Sequence, residues 1–245
     1  MLDFVAQLSS ERVRVFHYHF PGNSTILQSA ALRSSDLSGI WRLLSEFLAA
    51  SHLHDQKTST AIFHRIVSIM GALVRLRRDL VAWTLPHLGM MLRQLILCMR
   101  ACRPMLGAKQ TAMVMDTQPR WISSKHALGV DEARVLSRLL EALGTKTVVR
   151  SYAHGDTQKA EPLAKPFSNH AIYVVKAYIE CMNDPLCVLS AEVRRELQPG
   201  LFALCGMVSE HGRDAVMVSA LDAGGKTLMK TLWREYEKQK YVGKG

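Results

Sequence analysis

Along most of the chain, apolar residues return every three or four positions, the period of an α-helix with one buried face. From Ser35 to His52, the positions Leu37, Ile40, Trp41, Leu44, Phe47 and Leu48 follow that spacing, and Ser35 or Asp36 stands ready as an N-cap. Between Lys57 and Thr84, a common face is predicted for Ile62, Ile66, Ile69, Leu73 and Leu76. Leu85 to Pro104 follows, with Pro86 tolerated in a first turn and Pro104 marking the end. Gly129 to Leu143 reads as a strongly amphipathic helix. Asp131 and Glu132 lie in its first turn, and Val135, Leu136, Leu139, Leu140 and Leu143 form its stripe.

Other stretches are less regular. Met105 to Leu128 carries no clear period. Gly144 to Ser168 holds Gly155, Pro162 and Pro166 among polar residues; it predicts the longest loop and the place for any internal boundary in a single helical domain spanning residues 1–245. Ala171 to Glu180 is rich in β-formers, yet Ile172, Val175, Ile179 and Met182 keep helical spacing. Ser190–Leu197, Pro199–His211 and about Asp214–Lys240 complete the series, the last as one concluding helix. The expected fold class is all-α: stacked antiparallel helices forming the irregular end of a HEAT- or armadillo-like solenoid.

Composition agrees with this reading. An apolar share of 48% over 245 residues suits a substantial core. The five cysteines, Cys98, Cys102, Cys181, Cys187 and Cys205, lie in hydrophobic segments and read as free thiols in a reducing compartment. The first residues lack a basic start followed by an apolar core. The longest near-apolar run, Ile66 to Val74, is nine residues, too short for a bilayer. A soluble protein of the cytosol or nucleus is expected, with no membrane partner.

Charge changes the picture more. Lys and Arg number 31 against 21 Asp and Glu, a net of +10, which favours polyanionic or acidic partners. From Arg65 to Lys109 eight cations (Arg65, Arg75, Arg77, Arg78, Arg93, Arg100, Arg103, Lys109) face the single acid Asp79. A second basic run, near the end, holds Lys226, Lys230, Arg234, Lys238, Lys240 and Lys244. The candidate contact residues are Arg75, Arg77, Arg78, Arg100, Arg103, Lys230, Arg234, Lys238 and Lys240. RNA phosphates, an acidic protein and plain solvent all remain open as what they face. Trp83 and Trp121 are available for base stacking, or equally as core or interface anchors.

One motif invites an enzymatic reading. Ala220-Leu221-Asp222-Ala223-Gly224-Gly225-Lys226-Thr227 satisfies a relaxed phosphate-loop pattern, and Val216-Met217-Val218 precedes it like a strand. A working loop also needs a further strand carrying a metal-binding acid, and the neighbouring residues read as helix. Val216, Ala220, Leu221, Gly224, Leu228, Leu232 and Trp233 instead trace one helical face, with Lys226 and Lys230 towards solvent. No nucleotide cofactor is expected.

Other chemistry is thin. Cys98 and Cys102 have a metal-compatible spacing but no second pair nearby in sequence, so a core pair is predicted and no metal. The pairs His17 with His19 and His52 with His54 have nothing in sequence to orient them. Asp131 with Glu132, and Glu235 with Glu237, read as helix-end and solvent-face charges. Neither a Gly-x-Ser-x-Gly elbow nor a His-Glu-x-x-His helix occurs, and no catalytic set is assigned.

The C-terminal half carries a resemblance. Leu197-Gln198-Pro199-Gly200-Leu201-Phe202-Ala203-Leu204, then Leu221 to Lys226, then Leu232-Trp233-Arg234-Glu235-Tyr236 and the basic Tyr241–Gly245 occur in an order similar to the C-terminal domain of the nucleolar pre-ribosomal-associated protein two family, also called unhealthy ribosome biogenesis protein two. The likeness covers about residues 130–245, including Asp131–Leu143. It implies a non-enzymatic scaffold in early large-subunit (pre-60S) assembly and pre-rRNA processing, located in the nucleus and nucleolus. It implies partners among pre-ribosomal particle proteins, including a large helical-repeat factor and a DEAD-box helicase, with pre-rRNA as a further contact. It also implies that residues 1–245 are a C-terminal piece of a longer protein, or the product of a truncated gene model. The alternatives are a helical protein–protein adaptor without RNA contact, and a nucleotide-binding protein using residues 220–227.

Overall fold

A computed structural model describes residues 34–52, 59–150, 157–160 and 162–241. The predicted periodicity becomes helix after helix: α1 (Ser34–Leu48), α2 (Thr60–Leu76), the single turn α3 (Arg78–Val81), α4 (Leu85–Cys98), α5 (Ala108–Met115), α6 (Val130–Gly144), α7 (Ala164–Asn183), α8 (Ala191–Cys205), α9 (Glu210–Ser219) and α10 (Ala223–Tyr241). Strands are minor. β1 (Ala101–Cys102) pairs antiparallel with β4 (Cys187–Val188), and β2 (Thr147–Arg150) with β3 (Thr157–Ala160). The protein is all-α.

The predicted stripes form the core. In α1, Leu37, Ile40, Trp41, Leu44 and Leu48 are buried, and in α6 Leu136, Leu139, Leu140 and Leu143 are. In α2 the buried face is centred on Phe63, Ile66, Met70, Leu73 and Val74, whereas Leu76 is exposed at the last turn. The β-formers of Ala171–Glu180 lie inside α7, and Ile172, Val175 and Ile179 are buried there. These side chains join one continuous apolar cluster running from Leu37 to Trp233.

Contacts between helices define two rows. In the first, α1 lies on α4 and α4 on α7; in the second, α2 lies on α6 and α6 on α8. Within each row the helices run the same way. The Trp41 Nε1–H donates to Thr84 Oγ1 at 3.0 Å, while further on Ser45 meets Met91. Gly89 faces His170, and the Cys181 thiol reaches the Ile96 carbonyl. His64 pairs with Glu132 near the start of α2, and the Arg78 guanidinium reaches the Ala142 carbonyl at its far end. Arg134 bonds Glu196, and Ser137 meets Gly200. The rows run opposite to each other, since α8 folds back on α7 through a short link. Like helices side by side within a row, reversed between rows, is the arrangement of an α-solenoid.

The tightest joint is between α6 and α8. Pro199 sits inside α8 without breaking it. The next amide, Gly200 N–H, donates to Ser137 Oγ of α6 at 2.8 Å. A Cβ at Gly200 would stand 2.8 Å from both the Cα and the carbonyl oxygen of Ser137, so only glycine allows this approach. The expected separation of Ser190–Leu197 from Pro199–His211 is thereby corrected: one helix covers Ala191–Cys205.

Three further expectations change. Irregular Met105–Leu128 contains α5, started at Gly107, whose N–H donates to Gln110 Oε1. The long loop expected from Gly144 contains the antiparallel pair β2–β3. The single helix expected over Asp214–Lys240 is two, α9 and α10, parted at Ala220–Asp222.

Candidate nucleic-acid interface

The break before α10 disposes of the phosphate-loop geometry. Val216-Met217-Val218 is helical in α9, and among the described residues no parallel strand pairing occurs. Asp222 caps α10: its carboxylate accepts from the Gly225 N–H at 2.7 Å, and its carbonyl from the Lys226 N–H at 2.9 Å. The same carboxylate accepts from Asn183 Nδ2 at 2.9 and 3.0 Å. The amides that would cradle a phosphate are already turned onto an aspartate. Bonding to Gly225 N–H, then to Asn183, holds the Asp222 pKa below the usual carboxylate range. Gly224 is at the contact itself, since a Cβ there would collide with Asn183 Oδ1. The buried face of α10 is therefore Gly225, Met229, Leu232 and Trp233, rather than one passing through Ala220 and Gly224.

The opposite face of α10 carries Lys230, Arg234 and Lys238, while Lys240 stands one turn beyond Tyr236 on the seated side; all four are exposed. Lys230, Arg234 and Lys238 are spaced by four residues, a stripe about 12 Å long at 1.5 Å per residue. Among the described residues none of these four forms a salt bridge, and only Lys240 has a side-chain contact, over the Tyr236 ring at 5.9 Å. The α10 seat fixes their direction. Met229 is fully buried, Trp233 lies under Arg213 at 5.5 Å, and Tyr236 packs on Phe202.

The first cationic cluster is used differently. Arg78 is 5% exposed; its Nε–H donates to the Val74 carbonyl at 2.9 Å and its Nη2–H to Ala142 at 3.1 Å. It closes the end of α2 and ties α2 to α6, so it is withdrawn from any outer contact surface. Burial lowers its pKa, although a guanidinium keeps its charge. Arg77 grips Asp79 through Nε and Nη2 at 3.1 and 2.9 Å. Arg75 is exposed and its Nε–H turns back to the Gly71 carbonyl.

Arg100 and Arg103 also serve the fold. Arg100 donates to the Leu97 carbonyl and to Thr117 Oγ1, and lies 3.7 Å from Asp184. Arg103 donates to the Cys187 carbonyl beside the β1–β4 pair. The nine candidate cations thus fall into separate places. Arg75, Arg77 and Arg78 end α2, with α6 and α8 between them and α10; Arg100 and Arg103 sit past α4. Trp121 is 1% exposed and donates to the Phe47 carbonyl, a core anchor, whereas Trp83 is 87% exposed.

The β1–β4 pairing also gathers residues far apart in sequence. Cys102 lies opposite Cys187, with Cys98 and Cys181 on the helices leading into these strands. Among the described residues no group of three or more His, Cys, Asp or Glu is disposed to hold a metal ion. Burial raises all five thiols, Cys181, Cys187 and Cys205 to about 12. His52 meets Asp116 at 3.3 Å; His17, His19 and His54 lie outside the described residues. No helix among the described residues is long and apolar enough to cross a membrane.

No curated protein and no solved structure matches the chain. A family model does: that of the Urb2/Npa2 family matches residues 23–244.

Proposed function

The chain belongs to the Urb2/Npa2 family, a family of ribosome biogenesis, and on that footing we propose that it is a nucleolar scaffold of early large-subunit assembly and pre-rRNA processing. It works without catalysis of its own, holding pre-rRNA and assembly proteins together, a helical-repeat factor and a DEAD-box helicase among them. The observation that carries this reading is the outer face of α10, where Lys230, Arg234 and Lys238 stand in line, exposed and in no salt bridge among the described residues, with Glu237 the one acid on the same face. A row of exposed cations on a rigidly seated helix suits phosphates, which it neutralises with release of counterions. Two observations favour a non-enzymatic role: the glycine pair is committed to a capped helix, and burial keeps the thiols in their poorly nucleophilic form.

The test is recovery of precursor RNA. Tagged protein expressed in cells and purified from nuclear extract is expected to bring down large-subunit precursors. A K230E/R234E/K238E variant should bring down much less while melting at the same temperature. Equal recovery by the two proteins, or none by either, refutes the reading.

A protein-only adaptor rests on one feature, the indole of Trp83 standing clear of the surface. Tryptophans of this kind anchor protein interfaces. An adaptor would keep its partners as salt rises, whereas phosphate contacts fail steeply.

A further inference from the structure

Helices α8 and α10 both pack on α7 but scarcely touch each other. They run side by side, because each is antiparallel to α7: α8 through its short link, α10 through the Asp222–Asn183 contact at the end of α7. At one point they are bridged by Gln198 Nε2–H donating to Glu235 at 3.3 Å, and one turn on by Phe202 against Tyr236. Towards their N-termini the gap opens into a cleft of about 300 Å³.

Its floor and far wall are apolar: Ile179 and Met182 of α7, Leu228 and Leu232 of α10. Its near lip is cationic. Arg194 and Arg195 of α8 are exposed, and neither guanidinium has an ion pair or hydrogen bond among the described residues. Several other arginines bind carbonyls or carboxylates, as Arg77, Arg78, Arg100, Arg103 and Arg134 do. Two idle guanidiniums beside the half-buried Met182 and Leu228, which cap an otherwise buried apolar floor, call for a ligand that is both apolar and anionic.

The floor decides which kind. Single-stranded RNA is held by aromatic faces on which bases stack. Here the lining is aliphatic and thioether, and its one ring, Tyr178, is only 9% exposed. Methionine and leucine accommodate inserted side chains of varied shape. The volume accepts about two large apolar side chains and sits at the small end for an organic ligand. Glu235, past the arginines, gives the cleft a sign gradient along its length. We propose that this cleft docks a helical segment of a partner protein, which lays apolar side chains over Met182 and Leu228 and presents Asp or Glu to Arg194 and Arg195. The proposal does not depend on what the basic face of α10 binds.

The probes are two labelled peptides of about 15 residues, long enough for a helix, with leucines at helical spacing flanked by Glu in one and by Lys in the other. A uridine oligonucleotide is the third. Titration into the 245-residue protein, with the methionine methyls labelled, should shift the Met182 signal for the Glu peptide and leave exposed Met113 in place. Fluorescence anisotropy should show the Glu peptide weakened about ten-fold or more by R194E/R195E, whose exposed side chains leave the fold intact. Thr231→Trp, which fills the cleft from α10, should weaken it as well, and K230E/R234E/K238E should not. Equal binding of the two peptides, no binding of either, a stationary Met182, or displacement of the peptide by the oligonucleotide overturns the proposal.

Discussion

The arginines of Arg65–Lys109 and the cations of α10 read alike in sequence, and the folded protein employs them in opposite ways. Arg78, Arg100 and Arg103 donate to main-chain carbonyls at helix ends and beside a strand pair. Lys230 and Arg234 project from the middle of a helix whose own carbonyls are already bonded, and Lys238 continues their line into its last turn. The difference is one of position. A cation near a helix C-terminus finds orphan acceptors within reach, and a cation in mid-helix finds only solvent or a partner. Counting charge along a chain detects both and separates neither.

The contrast can be broken most forcefully at Arg78. Arg78→Ala removes the donor shared by the Val74 and Ala142 carbonyls and the buried stem around it. A loss of about 3 kcal/mol in urea unfolding is expected. A loss under about 0.5 kcal/mol would return Arg78 to the surface group.

On the other side of the comparison, K230E/R234E/K238E should leave urea unfolding unchanged and flatten the salt dependence of RNA binding. If each cation meets one phosphate, the slope of log affinity on log salt falls in magnitude by about 2. An unchanged slope would make α10 as inactive towards RNA as the α2 end.

A third test sharpens the structural side by pH. Glu132 starts α6 by accepting from the Gly129 N–H at 2.8 Å and pairs with His64 of α2 at 2.9 Å. Burial pushes its carboxyl upward, but the amide bonds and the His64 contact outweigh this and hold it below the ordinary 4.5. With the folded value depressed, the stabilisation is complete above 4.5 and disappears as pH falls through the folded value. Glu132→Gln should therefore be less stable than the parent near neutrality by about 1 kcal/mol, with the gap closing in acid. A gap constant with pH would assign the loss to packing alone.

The smallest effect belongs to Arg77. Its pair with Asp79 is local and Asp79 is largely exposed, so Arg77→Ala should cost less than about 1 kcal/mol. That would place it between the two groups.

Much of the architecture was legible because periodicity reports which face of a helix is buried. The stripes of α1, α6 and α7 and the helical state of the glycine pair followed from spacing alone. What spacing does not carry is contact between distant segments. Pro199 reads as a break, yet α8 runs through it because Ser137 of α6 takes the Gly200 amide. Asp222 reads as one polar position in a long helix, yet its side chain opens a new one, α10, while Asn183 holds it. Cys102 meets Cys187 only through strand pairing, and Cys98 nears Cys181 only through the packing of α4 on α7. Of the candidate surface, α10 was visible as an exposed stripe; the burial of Arg78 and the cleft beside Arg194 depend on which helices become neighbours.

The two-row arrangement has a consequence for how the chain reaches its shape. Helical proteins commonly fold fast because their contacts are local. Here the pairings that seat α2 on α6, α6 on α8 and α4 on α7 join residues 64, 63 and 85 positions apart. During synthesis each row must wait for a helix not yet made, its apolar stripe open meanwhile to other chains. Refolding should be slower than the helix content alone suggests, with long-lived early species prone to aggregate.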